Sequence, residues 1–136
     1  MNERTENIED LLDEQQAAEI LIASPVAFVL TDPAQEDNPI IYVNRAFETL
    51  TGYSSEAAVG RNCRFLQTSE TRPEAVEKLR TAIAKQQDVS VVLHNQRADG
   101  TTFLNALVVT PIFGEGDESD GEAGSQTLRY FLGMQR

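Results

Sequence analysis

The sequence predicts an α+β domain built on an antiparallel sheet, with helices over one face. Three observations carry that class. Two short apolar runs, VAFVLT at 26–31 and IIYV at 40–43, flank the turn-forming DPAQEDNP. A clear helical period follows in the middle of the chain, and from Asp88 the apolar period changes to two. Strands, then helices, then three consecutive strands place five strands in one sheet.

Taken in order, residues 8 to 22 put Ile8, Leu11, Leu12, Ala18 and Ile22 on one helical stripe, interrupted by Gln15 and Glu19 and ended by Ser24-Pro25. Residues 1–24 therefore read as a helical extension ahead of a domain over 25–136. After the two strands, Asn44 is placed to cap a short helix running to Thr51, closed by Gly52; a further helical turn starts at Ser54 and stops at Gly60. Thr71 and Glu74 have capping-box spacing, with Pro73 in the first turn. Val76, Leu79 and Ile83 then recur on one face of a helix expected to run to about Gln86. Val89, Val91, Leu93 and Asn95 alternate into a turn at Asp99-Gly100, and Phe103, Asn105, Leu107 and Val109 alternate out of it. GEGDESDGEAGSQ, 114–126, reads as a flexible acidic loop, and TLRYFLGMQ returns as the last strand.

Composition narrows the function classes. A chain of 136 residues that is 40% hydrophobic buries one core of ordinary size. One cysteine excludes an internal disulfide, and no Cys, His or carboxylate cluster has metal-ligand spacing, so no metal is expected. A formal charge of −11 argues against direct nucleic-acid binding. The N-terminus lacks a signal peptide and no apolar run is long enough to span a bilayer, which predicts a cytoplasmic protein with no membrane contact. Two lysines against 22 acidic residues would suit a high-salt host, a balance that ordinary acidic proteins share.

The hairpin register decides where its asparagines point. A three-residue loop, Ala98-Asp99-Gly100 with Gly100 in the left-handed region, puts Asn95 and Asn105 diagonally on one sheet face; a two-residue turn would separate them. The first register gathers Val89, Val91, Leu93, Phe103, Leu107 and Val109 with the two amides, and the last strand adds Phe131, Gly133 and Gln135. Unpaired buried amides cost about 1–3 kcal/mol each. Three on an apolar face either bond one another, backbone or water, or meet a ligand such as a planar heteroaromatic ring, to which Gly133 would leave room to approach. Cys63 is likewise open: an inert small hydrophobe, or a reactive thiol. His94, the only histidine, falls on the opposite hairpin face from Asn95 and reads as a surface or partner-facing residue, so a Cys-His catalytic pair is disfavoured. Arg64 and Arg80 are either solvated charges or, by their bidentate geometry, phosphate-binding groups at the pocket rim.

GRNCRFLQ at 60–67 resembles the signature of light-oxygen-voltage (LOV) domains, a flavin-binding branch of the PAS fold, and the resemblance runs over roughly 25–135. TDPAQEDNPIIYVNRAFETLTGY is similar to the family's segment before the signature, VVLHNQRADGTTFLNALVVTPI to its asparagine-bearing hairpin, and YFLGMQ to its last strand. The resemblance implies a PAS-like five-stranded antiparallel sheet and a noncovalent flavin: FMN, with riboflavin or FAD as partial occupants. Blue light would drive a reversible bond between the Cys63 sulfur and flavin carbon C4a. By the same resemblance Asn62 and Gln67 line the ring, Asn95 and Asn105 bond its pyrimidine-like edge, and Gln135 faces N5 and O4. Arg64 and Arg80 would hold the phosphate, and Val29, Thr31, Asn38, Leu66, Val76, Leu79, Ile83, Leu107, Val109 and Phe131 complete the pocket.

The implied protein is a sensor and not an enzyme. It is a short module without an attached output domain, acting as a homodimer through its N-terminal helix or sheet face, or on a separate effector. Leu104 departs from the family pattern, standing where an aromatic is frequent, and the acidic loop is longer than the usual connection. The competing class is a PAS-like interaction module with another ligand or none and an inert Cys63.

Overall fold

The computed structural model describes residues 25–115 and 126–135. The stripe over 8 to 22 lies outside them. Five strands form one antiparallel sheet: β1 (Ala27–Thr31), β2 (Ile40–Val43), β3 (Val89–Gln96), β4 (Thr102–Glu115) and β5 (Gln126–Gln135), in the order β2-β1-β5-β4-β3. The last strand therefore lies in the middle, hydrogen-bonded to β1 on one side and β4 on the other. That position sets Gln135 opposite both Ala27 and Leu107, at the centre of the sheet.

Three helices and one 3-10 turn cover the inner face: α1 (Arg45–Thr51), α2 (Ser55–Ala58), the turn Cys63–Leu66, and α3 (Pro73–Ala84). Asn44 caps α1 as expected, its Oδ1 accepting from Phe47 N–H at 3.1 Å, and Gly52 ends it in the left-handed region at φ 79°. The same side chain does more than cap. Its Oδ1 also accepts from Phe28 N–H at 2.9 Å and its Nδ2 donates to Val26 C=O at 2.9 Å, so one buried amide fastens α1 to β1. Ser54 caps α2 through its hydroxyl.

The capping box expected at Thr71–Glu74 does not form. Arg72 occupies the cap position without a side-chain bond, and the Thr71 hydroxyl donates to His94 C=O on β3 while accepting from Thr68 N–H. The tertiary contact replaces the local one because the His94 carbonyl on the edge strand β3 lies within reach of the hydroxyl. At the other end Gln86 adopts φ 57°, with Gln87 N–H on Ala82 C=O and Gln86 N–H on Ile83 C=O. This is a Schellman closure made without glycine. The predicted acidic loop is also shorter than expected, because β4 and β5 pair as far as Glu115 and Gln126.

The hairpin has the three-residue loop. Gln96 pairs with Thr102, Arg97 N–H donates to Thr101 C=O at 2.7 Å, and Gly100 has φ 91°. Asn95 faces Phe103 and Asn105 faces Leu93 across the ladder, so the two amides lie diagonally on the inner face. Packing divides into two clusters. Ala27, Val29, Ile40, Val43, Phe47, Ala58 and Leu66 form one under α1 and α2; Ala82, Val89, Val91, Leu93, Leu107, Val109 and Phe131 form the other under α3. The functional cavity opens between them.

Candidate functional site

A cavity of about 670 Å³, counting the solvent at its mouth, lies between the sheet and the segment 62–67. It gathers most of the sequence-predicted residues: Val29 and Thr31 from β1, Asn38 from the β1–β2 connection, Asn62, Cys63, Arg64, Leu66 and Gln67 from the 3-10 turn and its flanks, and Leu79 and Ile83 from α3. Asn95, Asn105, Leu107, Val109, Phe131 and Gln135 come from β3, β4 and β5. Two predicted residues are not in its wall. Val76 packs against the α3 cluster, and Arg80 is solvent-exposed and pairs with Glu77 at 3.1 Å. Leu93 and Gly133 line it without having been chosen as site residues, although the alternation of their strands had put both on this face. A Cβ on Gly133 would fall 2.9 Å from Val29 Cγ1 and 3.5 Å from Leu107 Cδ1, so the bare glycine keeps that part of the wall flat.

The walls are apolar, but the polar atoms in them are unusually poor in partners. Asn105 Nδ2 donates to Asn95 Oδ1 at 2.9 Å and Asn95 Nδ2 to His94 C=O at 3.2 Å, which partly satisfies the pair. Thr31 Oγ1, Asn38 Oδ1, Asn105 Oδ1 and Gln135 Oε1 are buried with no partner, and all four belong to cavity-lining residues. At about 1–3 kcal/mol for each unsatisfied group, such a set is tolerated when something else is meant to satisfy it. Rotating an Asn or Gln amide presents NH₂ in place of oxygen, so the set fits a ring edge of alternating donors and acceptors and a hydroxyl-bearing chain. A flavin has both, and the donor set fits it.

Of the residues lining the cavity, Cys63 and Arg64 are the ionisable ones. Cys63 opens the 3-10 turn, which Asn62 caps by accepting from Arg64 N–H at 3.0 Å. The residue as a whole is half-buried, and burial pushes its thiol up to about 12, against a smaller opposing backbone hydrogen bond. No described base activates it. His94 is held away by Thr68 Oγ1, 3.1 Å from its Nδ1, and by Glu70, 3.6 Å from its Nε2. At about pH 8 only ~10⁻⁴ of a thiol so shifted is thiolate, against ~0.2 for a free one. Alkylation of Cys63 by iodoacetamide in the dark, followed by mass spectrometry, is therefore expected to run well below the rate for free cysteine and to rise about tenfold per pH unit through the mildly alkaline range. A plateau near neutral pH would mean a stabilised thiolate and would contradict this assignment.

Among the described residues no group of three or more His, Cys, Asp or Glu side chains could hold a metal ion, and no helix is long and apolar enough to cross a membrane. Residues 25–124 match the family model described as a PAS domain. The chain is 43% identical over 113 residues to a protein named blue-light photoreceptor from Listeria monocytogenes, covering 83% of this chain and 41% of that protein. It is 51% identical over 110 residues to blue-light-activated histidine kinase 1 of Erythrobacter litoralis, covering 81% and 28%. The chain thus spans less than half the length of these relatives. Among solved structures, the LOV domain of the Erythrobacter litoralis EL346 kinase superposes with a TM-score of 0.71 at 46% identity, covering 82% of this chain and 94% of that one. The dark structure of the Aureochrome1 LOV domain gives 0.74 at 40%, covering 100% and 86%. With the strand order, the signature turn and the cavity already in place, these matches assign the chain to the PAS family and, within it, to the light-oxygen-voltage domains.

Proposed function

We propose that this domain is a blue-light sensor that holds FMN noncovalently and responds through a reversible covalent bond at Cys63. The observation that carries the reading is the cavity itself: four buried, unpartnered polar atoms surround a flat apolar slot with a neutral thiol in its wall. When bound and excited, the flavin supplies an electrophilic carbon, C4a, and a proton-accepting nitrogen, N5. Cys63 would supply the sulfur and the proton for that chemistry and would recover both in the dark. Asn95 and Asn105 orient the ring edge, Gly133 admits its face to the sheet, and Leu79, Ile83 and Phe131 exclude water. The chain acts as a sensor rather than a catalyst.

Gln135 is the residue through which the change leaves the site. It sits mid-sheet with an unpartnered oxygen, and amide rotation lets it answer an acceptor that has become a donor. The opposite face of the sheet keeps Val92 and Leu104 exposed at 57% and 69%, a surface suited to a second copy of the chain or a separate effector. The structure of the fungal photoreceptor Vivid, 31% identical to this chain, is described as a light-state dimer, which supports that route.

The test is an absorption spectrum of the purified, FMN-loaded protein before, during and after blue illumination. The flavin band is expected to bleach and return in the dark. A protein that keeps no flavin, or whose flavin does not bleach reversibly, would end this reading.

A further inference from the structure

Arg64 lines the cavity and is at the same time engaged by Asp37, whose Oδ2 accepts from its Nη2. The pair is not a chance meeting of surface side chains. Asp37 and Asn38 both occupy the left-handed region, at φ 67° and 48°, a backbone that Asp and Asn adopt more readily than other non-glycine residues and that turns the chain sharply here. Asn62 then ties the two partners' backbones together. Its Nδ2 donates to Asp37 C=O at 2.7 Å, while its Oδ1 accepts from Arg64 N–H. The carboxylate is thus presented to the guanidinium by backbone fixed from both sides. Arg80 offers no second cation here, being turned onto Glu77 on the exposed face of α3.

We propose that Asp37 sets how strongly the site distinguishes a flavin with a terminal phosphate from one without, an inference that rests on the flavin reading above. Arg64 is the cation of the described cavity wall, and Asp37 neutralises it. A phosphate dianion reaching the guanidinium meets a carboxylate of like charge, whereas a flavin ending in a hydroxyl meets no such repulsion. Arginine has five N–H donors, so one guanidinium can hold both anions at once. The attraction lost if Asp37 is displaced counts for little, because the pair is more than half exposed. What remains is the repulsion between carboxylate and dianion. The site as built therefore prefers FMN over riboflavin by less than Arg64 alone would allow.

Asp37→Asn removes the charge and keeps the shape. Dissociation constants for FMN and riboflavin, read from flavin fluorescence quenching, would be compared between the wild type and this variant at low and physiological salt. FMN binding is expected to tighten about 3–10-fold at low salt, with riboflavin changed by less than about twofold and the gain shrinking as salt rises. Riboflavin binding also reports that the variant is folded. An unchanged or reduced FMN preference would overturn the proposal and make Asp37 a residue that positions Arg64 for the phosphate; equal gains for both flavins would overturn it as well. Failure of the wild type to bind either flavin would instead bring down the flavin reading, and it would show before any substitution is made.

Discussion

A Cys63→Ala variant is expected to hold FMN as the wild type does and to show none of the reversible bleaching under blue light. The expectation is a complete loss because nothing else in the wall can replace the sulfur. The hydroxyl-bearing residue of the described wall, Thr31, has a side chain far less acidic than a thiol, and the remaining polar groups are amides and one arginine. Retention of flavin follows from the division of labour proposed for the cavity: the ring edge would be met by Asn95, Asn105 and Gln135 on the sheet, whereas the thiol belongs to the 3-10 turn. Losing a half-buried sulfur costs about 1 kcal/mol, well within the stability of a domain this size. Cys63→Ser, which keeps the shape, should behave the same way. Spectra under illumination and the mass of the intact protein read out both variants. Bleaching and dark recovery that survive in Cys63→Ala would remove the residue from the photochemistry.

Among the described residues no base stands beside Cys63. Nucleophilic cysteines in enzymes sit near a histidine or a helix N-terminus that lowers their pKa. Here burial moves the thiol the other way. Under the proposed photochemistry that direction is an advantage, because a thiol that stays protonated in the dark leaves no standing thiolate to react before excitation.

Much of the site was legible because strands alternate. Once Gly100 was placed in a three-residue loop, parity alone put Asn95, Asn105, Gly133 and Gln135 on the face that carries Leu107 and Phe131, and the ladder has that register. The cap at Asn44 and the helical turn beginning at Ser54 were legible for a related reason: both are decided within a few residues of chain. What was not legible depended on partners distant in sequence. Thr71 has the spacing of a capping box yet spends its hydroxyl on the carbonyl of His94, 23 residues away. Arg80 shares its helix with Leu79 and Ile83, but one step along a helix turns a side chain by about 100°, and that step carries it to Glu77. Asp37 gave no signal at all, since its two-residue left-handed backbone and its contact with Arg64 need the 3-10 turn to be folded against it. The acidic stretch reads as loop by composition, whereas the ladder runs into both of its ends.

Replacing Asn95 and Asn105 together by Leu is expected to raise the stability of the flavin-free protein while weakening flavin binding by about 30–1,000-fold, the loss of two to three hydrogen bonds made in a buried site. The two effects share one cause. Both side chains are almost wholly buried, they bond chiefly to each other, and Asn105 Oδ1 is left without a partner. Removing one amide would strand the other, but removing the pair together exchanges a half-satisfied polar contact for apolar surface against Leu93 and Leu107, which is neutral or stabilising. A stabilisation of about 1–2 kcal/mol should shift the thermal midpoint of the flavin-free protein upward by roughly 4–8 °C. Stability is read by urea or thermal unfolding without flavin, and affinity by fluorescence titration. If the amides serve the fold, the double variant will unfold more easily and lose flavin only in proportion. If they serve the ligand, stability and affinity will move in opposite directions, because a site kept polar for a partner is strained until that partner arrives.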